Sequence, residues 1–153
     1  MTTGKVDFSG VQSTMLITLF LRALDCKEAE PILGGRFAAE AVDRIDYDWT
    51  KVDKPNITRN RFGVALRAKQ FDVWVAEFLR GNPGATVLQL ACGLDSRAFR
   101  LDLPTEVRWF DVDLPDVMDL RRKLYDEADG YRMIAASVTD EAWLAQIPAD
   151  KPV

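Results

Sequence analysis

Apolar side chains in the first half of the chain recur at the spacing of an α-helix. In residues 16–24 their offsets of 3, 4, 7 and 8 align them along one helical face. The same periodicity returns in residues 37–45 and in residues 61–79, and Gly-Asn-Pro-Gly at residues 81–84 ends the third helix. Residues 46–60 are polar and predict a loop. The positions predicted to face inward are Leu16, Leu19, Phe20, Ala23 and Leu24, then Phe37, Ala38, Ala41, Val42 and Ile45, then Val64, Ala68, Phe71, Val75 and Phe78.

The periodicity changes after this helical region. Short, mostly apolar runs at residues 86–91, 107–113 and 131–138 are typical of buried strands. A helix is predicted between the second and third strands, with Pro115 at its first position, and Thr139 is predicted to cap a last helix. Alternating strands and helices indicate an α/β fold with a parallel sheet covered by helices.

Candidate ligand-binding residues follow the first two predicted strands, where parallel sheets bind their ligands. Gly93 has no Cβ and would let a ligand approach the backbone, although a purely structural turn fits equally well. Asp113 comes 20 residues later, at the end of the next strand, where an acid accepts hydrogen bonds from both hydroxyls of a ribose. Its alternative role is to cap the helix that Pro115 opens. Asp111 competes for the ribose, because strand alternation puts both aspartates on one side.

The composition suits a folded domain and excludes several classes of protein. A chain of 153 residues, 48% of them hydrophobic, is able to bury a core, which excludes a disordered tail. It has 20 lysines and arginines against 24 aspartates and glutamates, a net charge of −4, and an isoelectric point of about 4.9. A nucleic-acid binder would show a basic surplus, so we expect no nucleic-acid partner.

Histidine and cysteine content restricts the chemistry further. The absence of histidine excludes a Ser-His-Asp triad and a histidine-ligated zinc site. Cys26 and Cys92 stand far apart with no CxxC motif, so we expect neither a disulfide framework nor a metal. The first ten residues lack the apolar core of a signal peptide, and the longest apolar stretch, residues 15–21, is too short to span a bilayer. These features predict a soluble, cytoplasmic protein with no membrane partner.

Several conspicuous side chains receive a structural interpretation. Cys92 is predicted to be a small buried hydrophobe, because no histidine is present to activate its thiol. Four arginines on helices are predicted to be solvated charges, and the tryptophans are predicted to lie in the core or in an interface. These sets are Arg97, Arg100, Arg121 and Arg122, and Trp49, Trp74, Trp109 and Trp143.

Two strings, LQLACGLDSRAFRLDLP and VRWFDVDLPDVMDLRRKLY, resemble the leucine carboxyl methyltransferase family, in particular its bacterial members of the tetracenomycin polyketide O-methyltransferase type. The string VDFSGVQSTMLITLFLRALDCKEAEPILGGRFAAEAVDRIDYD resembles the opening helices of the same family. The resemblance implies a class I methyltransferase fold, which is a Rossmann-like parallel sheet, and S-adenosyl-L-methionine as cofactor. It implies that residues 1–84 form an N-terminal helical region and that residues 85–153 form the first half of the cofactor-binding α/β domain.

The resemblance also implies cofactor-binding residues. The family's glycine turn matches Ala91, Cys92 and Gly93, and its ribose-binding acid matches Asp113 in DVDLP. Arg67 in ALRAKQFD matches an arginine that binds the methionine carboxylate of the cofactor, where a guanidinium donates two parallel hydrogen bonds. The alternative for Arg67 is a solvated charge on the helix surface.

The adenine site departs from the usual family pattern. Many members carry Asp-Leu there, and the matching residues here are Ser137 and Val138, which keep a hydrogen-bonding hydroxyl but lose the carboxylate. The implied activity is transfer of a methyl group to a carboxylate or hydroxyl of a small molecule or a protein terminus. We assign no catalytic residue. The lack of a GxGxxG motif disfavours an NAD-dependent enzyme on a related sheet.

The resemblance further implies a sheet truncated after its third strand. The family's fourth strand lies beside the first, so residues 86–91 would form an apolar open edge, which folded proteins usually avoid. Three interpretations stay open: the chain is a fragment, it pairs with another copy, or a different chain supplies the remaining strands. The alternative function is a binding or assembly module that uses this edge without catalysis.

Overall fold

The computed structural model describes residues 13–34 and 36–153. The described part of the chain forms two compact units: the first contains the residues up to Val73 together with Leu94–Arg100, and the second contains Trp74–Gly93 and Leu101–Val153. The predicted boundary between a helical region, residues 1–84, and an α/β region, residues 85–153, stays a prediction. The first ten residues, for which no signal peptide is predicted, lie outside the described residues.

The first unit is helical, as its periodicity predicts. Helix α1 (Ser13–Asp25) packs against α2 (Phe37–Arg44), and their predicted faces are largely buried, since Leu16, Leu19 and Ala41 are each at most 3% exposed. The predicted loop over residues 46–60 is only partly a loop. It contains a 3-10 turn at Trp49–Lys51 and the short helix α3 (Pro55–Thr58), with a proline at a position that needs no amide hydrogen.

Helix α4 (Arg61–Gly81) shows where the inward-facing prediction is wrong. Val64 and Ala68 are buried as predicted, but Phe71 and Phe78 are 45% and 42% exposed. The helix instead buries Asp72 and Leu79, which follow these phenylalanines by one residue and therefore lie about 100° further around the helix. The run holds more apolar residues than one face accommodates, so periodicity alone does not select the buried face.

The second unit contains a parallel sheet, as predicted. Its strands are β1 (Thr86–Leu90), β2 (Arg108–Asp113) and β3 (Tyr131–Ala135), hydrogen-bonded in the order β1-β2-β3. Both pairings are parallel, which confirms the predicted parallel sheet for these three strands. The register places the ends of the strands at one edge, with Leu90 beside Val112 and Asp113 beside Ala135.

A helical segment follows each strand of the sheet. Helix α5 (Arg97–Arg100) follows β1, and α6 (Pro115–Leu124) packs against β2 and β3. The last helix is a 3-10 segment, Glu141–Gln146. Its cap is Asp140, which accepts the amide of Ala142 at 3.0 Å, and not the predicted Thr139. The capping carboxylate lies one residue further on because the hydroxyl of Thr139 contacts Ser137 instead.

The second unit contains two clusters of buried apolar side chains. Phe110, Val112, Ile134 and Trp143 form one buried cluster. Leu79, Ala85 and Val107 form another at the opposite end of the strands. Within the described residues, none of the helices has the length and apolar character required to cross a membrane.

Candidate functional site

The turn after β1 has an unusual backbone. Ala91 and Gly93 have positive φ angles, 51° and 53°. Glycine adopts this left-handed region freely, whereas for alanine it costs roughly 1 kcal/mol. A backbone held in this conformation at the carboxyl end of a parallel strand occupies the position where such sheets receive ligands.

Asp113 reaches across from the end of β2 and holds this turn. Its Oδ2 accepts the amide of Gly93 at 2.7 Å, and its Oδ1 accepts the amide of Leu114 at 2.8 Å. The capping interpretation is wrong, because Leu114 is the N-cap residue of α6 and no side chain caps the helix. A carboxylate accepts up to about four hydrogen bonds, so Asp113 retains acceptor capacity for a ligand.

Asp111 is enclosed by the protein, so it is a weaker candidate for the ribose than Asp113. Its side chain is 0% exposed, and its oxygens accept hydrogen bonds from Trp109 Nε1 at 2.9 Å and from the hydroxyl of Tyr131 at 2.6 Å. It also forms an ion pair with Arg121 of α6. Although both aspartates lie on the same side of β2, the helix covers Asp111 and leaves Asp113 partly exposed.

The solvated interpretation of Arg121 is therefore wrong. Arg121 is 0% exposed, and it donates to the Gly93 carbonyl at 3.0 Å as well as pairing with Asp111. Burial alone would lower the pKa of Arg121, but the adjacent Asp111 carboxylate outweighs it and raises that pKa. The pKa of Tyr131 is raised, mainly because the hydroxyl is buried. The charge of Asp111 also raises this pKa, whereas the charge of Arg121 lowers it.

The segment after β3 offers a hydroxyl and an apolar side chain. The Oγ of Ser137 lies 2.8 Å from Oγ1 of Thr139 and accepts the Thr139 amide at 3.3 Å. Val138 is 41% exposed. Two other apolar side chains near the ends of strands are also exposed, Leu90 at 50% and Leu114 at 40%. Asp113 thus has apolar side chains exposed at the same edge of the sheet.

Arg67 belongs to the first unit, on α4, and its side chain is exposed. Its unit contains a cluster of ion pairs in which Asp95 binds Arg22 at 3.2 Å and Arg100 at 2.6 Å. Burial is the main cause that lowers the pKa of Arg22, and the positive charges of Arg100, Arg97 and Arg67 act in the same direction against Asp95. The structure brings the other predicted cofactor-binding residues together in the second unit.

The ion pairs also overturn the solvated interpretation of two further arginines. The side chains of Arg97 and Arg100 are 13% and 6% exposed, because both donate to Asp72, at 2.8 Å and 2.6 Å. Burial would raise the pKa of Asp95, but the charges of Arg22, Arg100 and Arg97 outweigh it and hold that pKa below its ordinary value. Arg122 is exposed as predicted.

Cysteine and tryptophan predictions hold in most cases. Cys92 is 6% exposed, as expected of a small buried hydrophobe. Trp109 and Trp143 are core residues, and Trp49 stacks on Phe20, with ring centroids 5.5 Å apart. Trp74 is 55% exposed and is not a core residue, so for this tryptophan the interface alternative stays a prediction.

Comparison with known sequences identifies the group of proteins to which this site belongs. The sequence profile described as leucine carboxyl methyltransferase matches residues 15–150, which is most of the chain. The chain belongs to the leucine carboxyl methyltransferase family. The match includes every predicted cofactor-binding residue, from Arg67 on α4 to Val138 after β3.

Two curated relatives are similar to the chain over almost its whole length. The tetracenomycin polyketide synthesis O-methyltransferase TcmP of Streptomyces glaucescens is 50% identical over 147 residues, 96% of this chain and 54% of the relative. The S-adenosyl-L-methionine-dependent methyltransferase dpfgK of Gibberella zeae is 39% identical over 163 aligned positions, 98% of this chain and 55% of the relative. The chain therefore spans about half the length of these two relatives.

Sequence reasoning missed the buried support of the turn in this leucine carboxyl methyltransferase chain. A signal was present, because Arg121 stands four residues after Val117 and three before Leu124, on the buried face of α6. A second signal was Asp111, which stands between the apolar residues Phe110 and Val112 in a buried strand. A charge enclosed in this way requires a partner of opposite sign.

Proposed function

We propose that this chain is the cofactor-binding portion of an S-adenosyl-L-methionine-dependent O-methyltransferase. The single observation that carries the proposal is the hydrogen bond of 2.7 Å between the Gly93 amide and Asp113, which joins the turn after β1 to the acid at the end of β2. Both relatives are named as methyltransferases, one as an O-methyltransferase and the other as S-adenosyl-L-methionine-dependent.

The residues at this edge fit an adenosine chemically. Asp113 keeps free acceptor positions for the two ribose hydroxyls, and the exposed apolar side chains of Leu114 and Val138 would cover the adenine. Ala91, Cys92 and Gly93 present backbone to the methionine portion, because their turn is already left-handed. The hydroxyl of Ser137 is the polar group proposed for the adenine edge.

Arg67 is proposed to bind the methionine carboxylate. Arg22, Arg97 and Arg100 form ion pairs with Asp72 and Asp95, and Arg67 lies close enough for its positive charge to lower the pKa of Arg22. These positive charges favour an anion, and Arg67 is exposed to solvent and so accessible to one.

The chain's contribution to methyl transfer is to bind and orient. When bound, S-adenosyl-L-methionine supplies the methyl group for an in-line displacement. Asp113 would bind the ribose, and the turn at Gly93 would bind the methionine portion. Together these contacts would orient the sulfonium toward the acceptor. The proposed acceptor is a small molecule with a carboxylate or hydroxyl group. We also propose a cytoplasmic location, with which the lack of a disulfide between Cys26 and Cys92 agrees.

Isothermal titration with S-adenosyl-L-methionine tests this proposal. Asp113→Ala removes both the ribose acceptor and the support of Gly93, so we expect its dissociation constant to rise about tenfold or more. Asp119→Ala on α6 is the matched control, because that aspartate is 75% exposed and pairs only loosely with Arg122, at 3.8 Å. Absence of binding by the wild type, or equal binding by Asp113→Ala, would contradict the proposal.

A second candidate is assembly through the outer edge of β1. The Thr86 amide donates to the Pro152 carbonyl at 2.7 Å on the side of β1 away from β2, so this edge already forms a strand-like bond. Beside it lies an apolar groove lined by Trp74, Phe78 and Leu88. We propose that a second copy of the chain pairs there.

Light scattering distinguishes this second candidate from the first. A self-paired chain is expected to scatter as a dimer, and Phe78→Lys, which places a charge in the groove, is expected to return it to a monomer. Leu66→Lys is the control, because Leu66 is exposed on the same helix but does not line the groove. A wild-type monomer, or a dimer that includes a different protein, would contradict pairing of two copies.

A further inference from the structure

Both polar groups of Gly93 are held by side chains of other elements. Its amide donates to Asp113 at the end of β2, and its carbonyl accepts from Arg121 Nη1 at 3.0 Å. The two contacts hold opposite ends of one residue whose φ is +53°. The conformation of the turn is therefore fixed from β2 and from α6 as well as by its own sequence.

Arg121 reaches Gly93 only because the rest of its guanidinium is fixed. Nη2 pairs with Asp111, and Nε contacts the Tyr131 hydroxyl at 3.2 Å. The same hydroxyl donates to Asp111 at 2.6 Å, and Trp109 Nε1 donates to the other carboxylate oxygen. Each polar group thus has a partner, and the guanidinium has one orientation in which all contacts are made.

The arrangement exceeds what stability alone requires. Replacing a buried ion pair with apolar groups of similar size is often neutral or stabilising, so a core built only for stability does not require Asp111 and Arg121. The pair lies directly behind the turn proposed to receive the cofactor, with one guanidinium nitrogen on that turn. The contact to Gly93 links the network to the candidate site.

We propose that Arg121 is a positioning residue, which holds the Gly93 carbonyl and so keeps the turn in the conformation that binds the cofactor. Asp111 and Tyr131 serve it by orienting the guanidinium. This inference rests on the proposed function. It adds to that function a buried network behind the turn, which would affect the affinity for the cofactor without contacting the cofactor.

A double variant separates positioning from stability. Arg121→Met alone leaves Asp111 as an uncompensated buried charge and is expected to destabilise the fold strongly. Combining Arg121→Met with Asp111→Asn removes both charges, so stability against urea should largely recover, whereas the contact to Gly93 stays absent. The control is Arg122→Met on the same helix, since Arg122 also donates to a carbonyl, that of Met133 at 3.2 Å, away from the turn.

Affinity for S-adenosylhomocysteine is then measured by calorimetry at a temperature where circular dichroism shows every variant folded. We expect the double variant to bind about tenfold more weakly than wild type or worse, and Arg122→Met to stay within about twofold. In ligand-free protein labelled with ¹⁵N-glycine, the Gly93 amide resonance should move in the double variant and not in Arg122→Met.

The outcomes separate the inference from the function on which it rests. Wild-type protein that fails to bind overturns the proposed function, and the inference with it. Wild-type protein that binds, with a double variant that binds equally tightly and keeps its Gly93 resonance, overturns the inference alone and leaves a purely structural ion pair.

Discussion

Arg100 holds Asp72 through both carboxylate oxygens, with Nε 2.6 Å from Oδ2 and Nη2 2.8 Å from Oδ1. Such bidentate pairing requires the planar fork of a guanidinium, which a lysine lacks. A third nitrogen of Arg100 binds Asp95 at 2.6 Å, so one side chain links two buried aspartates of the first unit.

Arg100→Lys should therefore destabilise the protein although it keeps the charge. The lysine replaces one of two contacts at Asp72 and leaves Asp95 less well paired, so we expect a loss of about 1–3 kcal/mol in the free energy of unfolding. Urea denaturation followed by circular dichroism measures this loss. Arg80→Lys is the control, because Arg80 is exposed on α4, and a cost equal to that of Arg100→Lys would show that the bidentate pair is not the cause.

Asp95 should make stability depend on pH in the acid range. The pKa of Asp95 in the folded protein lies below its ordinary value of 3.8, because three arginine charges outweigh burial. A lowered pKa means that the stabilisation is fully present above the unfolded value and is lost as pH falls through the folded value. We expect the difference in unfolding free energy between wild type and Asp95→Asn to be constant from pH 7 to about pH 5 and to shrink below about pH 4.

Denaturant titrations of both proteins across this range measure the difference directly. Other carboxylates titrate in the same window, but they do so in both proteins and cancel in the comparison. A difference that stays constant down to pH 2 would show that Asp95 gains nothing from its arginines.

The elements of this fold follow closely from periodicity, but the partners of buried charges do not. Each predicted strand begins within a residue of the observed one, because short apolar runs between turn residues leave few alternatives. Arg97 and Arg100 pair with Asp95, which is near in sequence, and also with Asp72, which stands 25 residues before Arg97 and 28 before Arg100. No local pattern brings Asp72 to these arginines, so a solvated charge is the simpler interpretation of the sequence.

The candidate site shows the same contrast between features that follow from local sequence and features that depend on distant partners. Asp113 and Gly93 were identifiable because their spacing reflects one strand–helix–strand unit, and the bond between them is the consequence. Burial of Asp111 depends on how α6 covers the strand, and alternation along β2 does not contain that information.

Gly130 is required where the chain enters β3. Its φ is +78°, and a Cβ at this position would lie 2.8 Å from the Val107 carbonyl oxygen. Gly130→Ala meets both a disfavoured backbone conformation and a steric clash with backbone, so we expect a loss of about 1–3 kcal/mol in stability. Gly81→Ala provides the matched control, since nothing lies within 4 Å of its added Cβ, and should be neutral or slightly stabilising. Thermal unfolding of both variants checks this, and equal melting temperatures would contradict it.

The two buried tryptophans should respond differently to loss of the indole N–H. Trp109 and Trp143 are 1% and 5% exposed, but only Trp109 Nε1 has an acceptor among the described residues, the Asp111 carboxylate at 2.9 Å. Trp109→Phe leaves that buried oxygen without a donor, whereas Trp143→Phe removes an N–H that already lacks a partner. Because an orphaned buried acceptor costs about 1–3 kcal/mol and the loss of ring volume is common to both, Trp109→Phe should be the less stable variant by about that amount. Urea unfolding followed by far-ultraviolet circular dichroism compares the two without relying on tryptophan fluorescence, and equal stabilities would show that the indole–carboxylate bond contributes nothing to the fold.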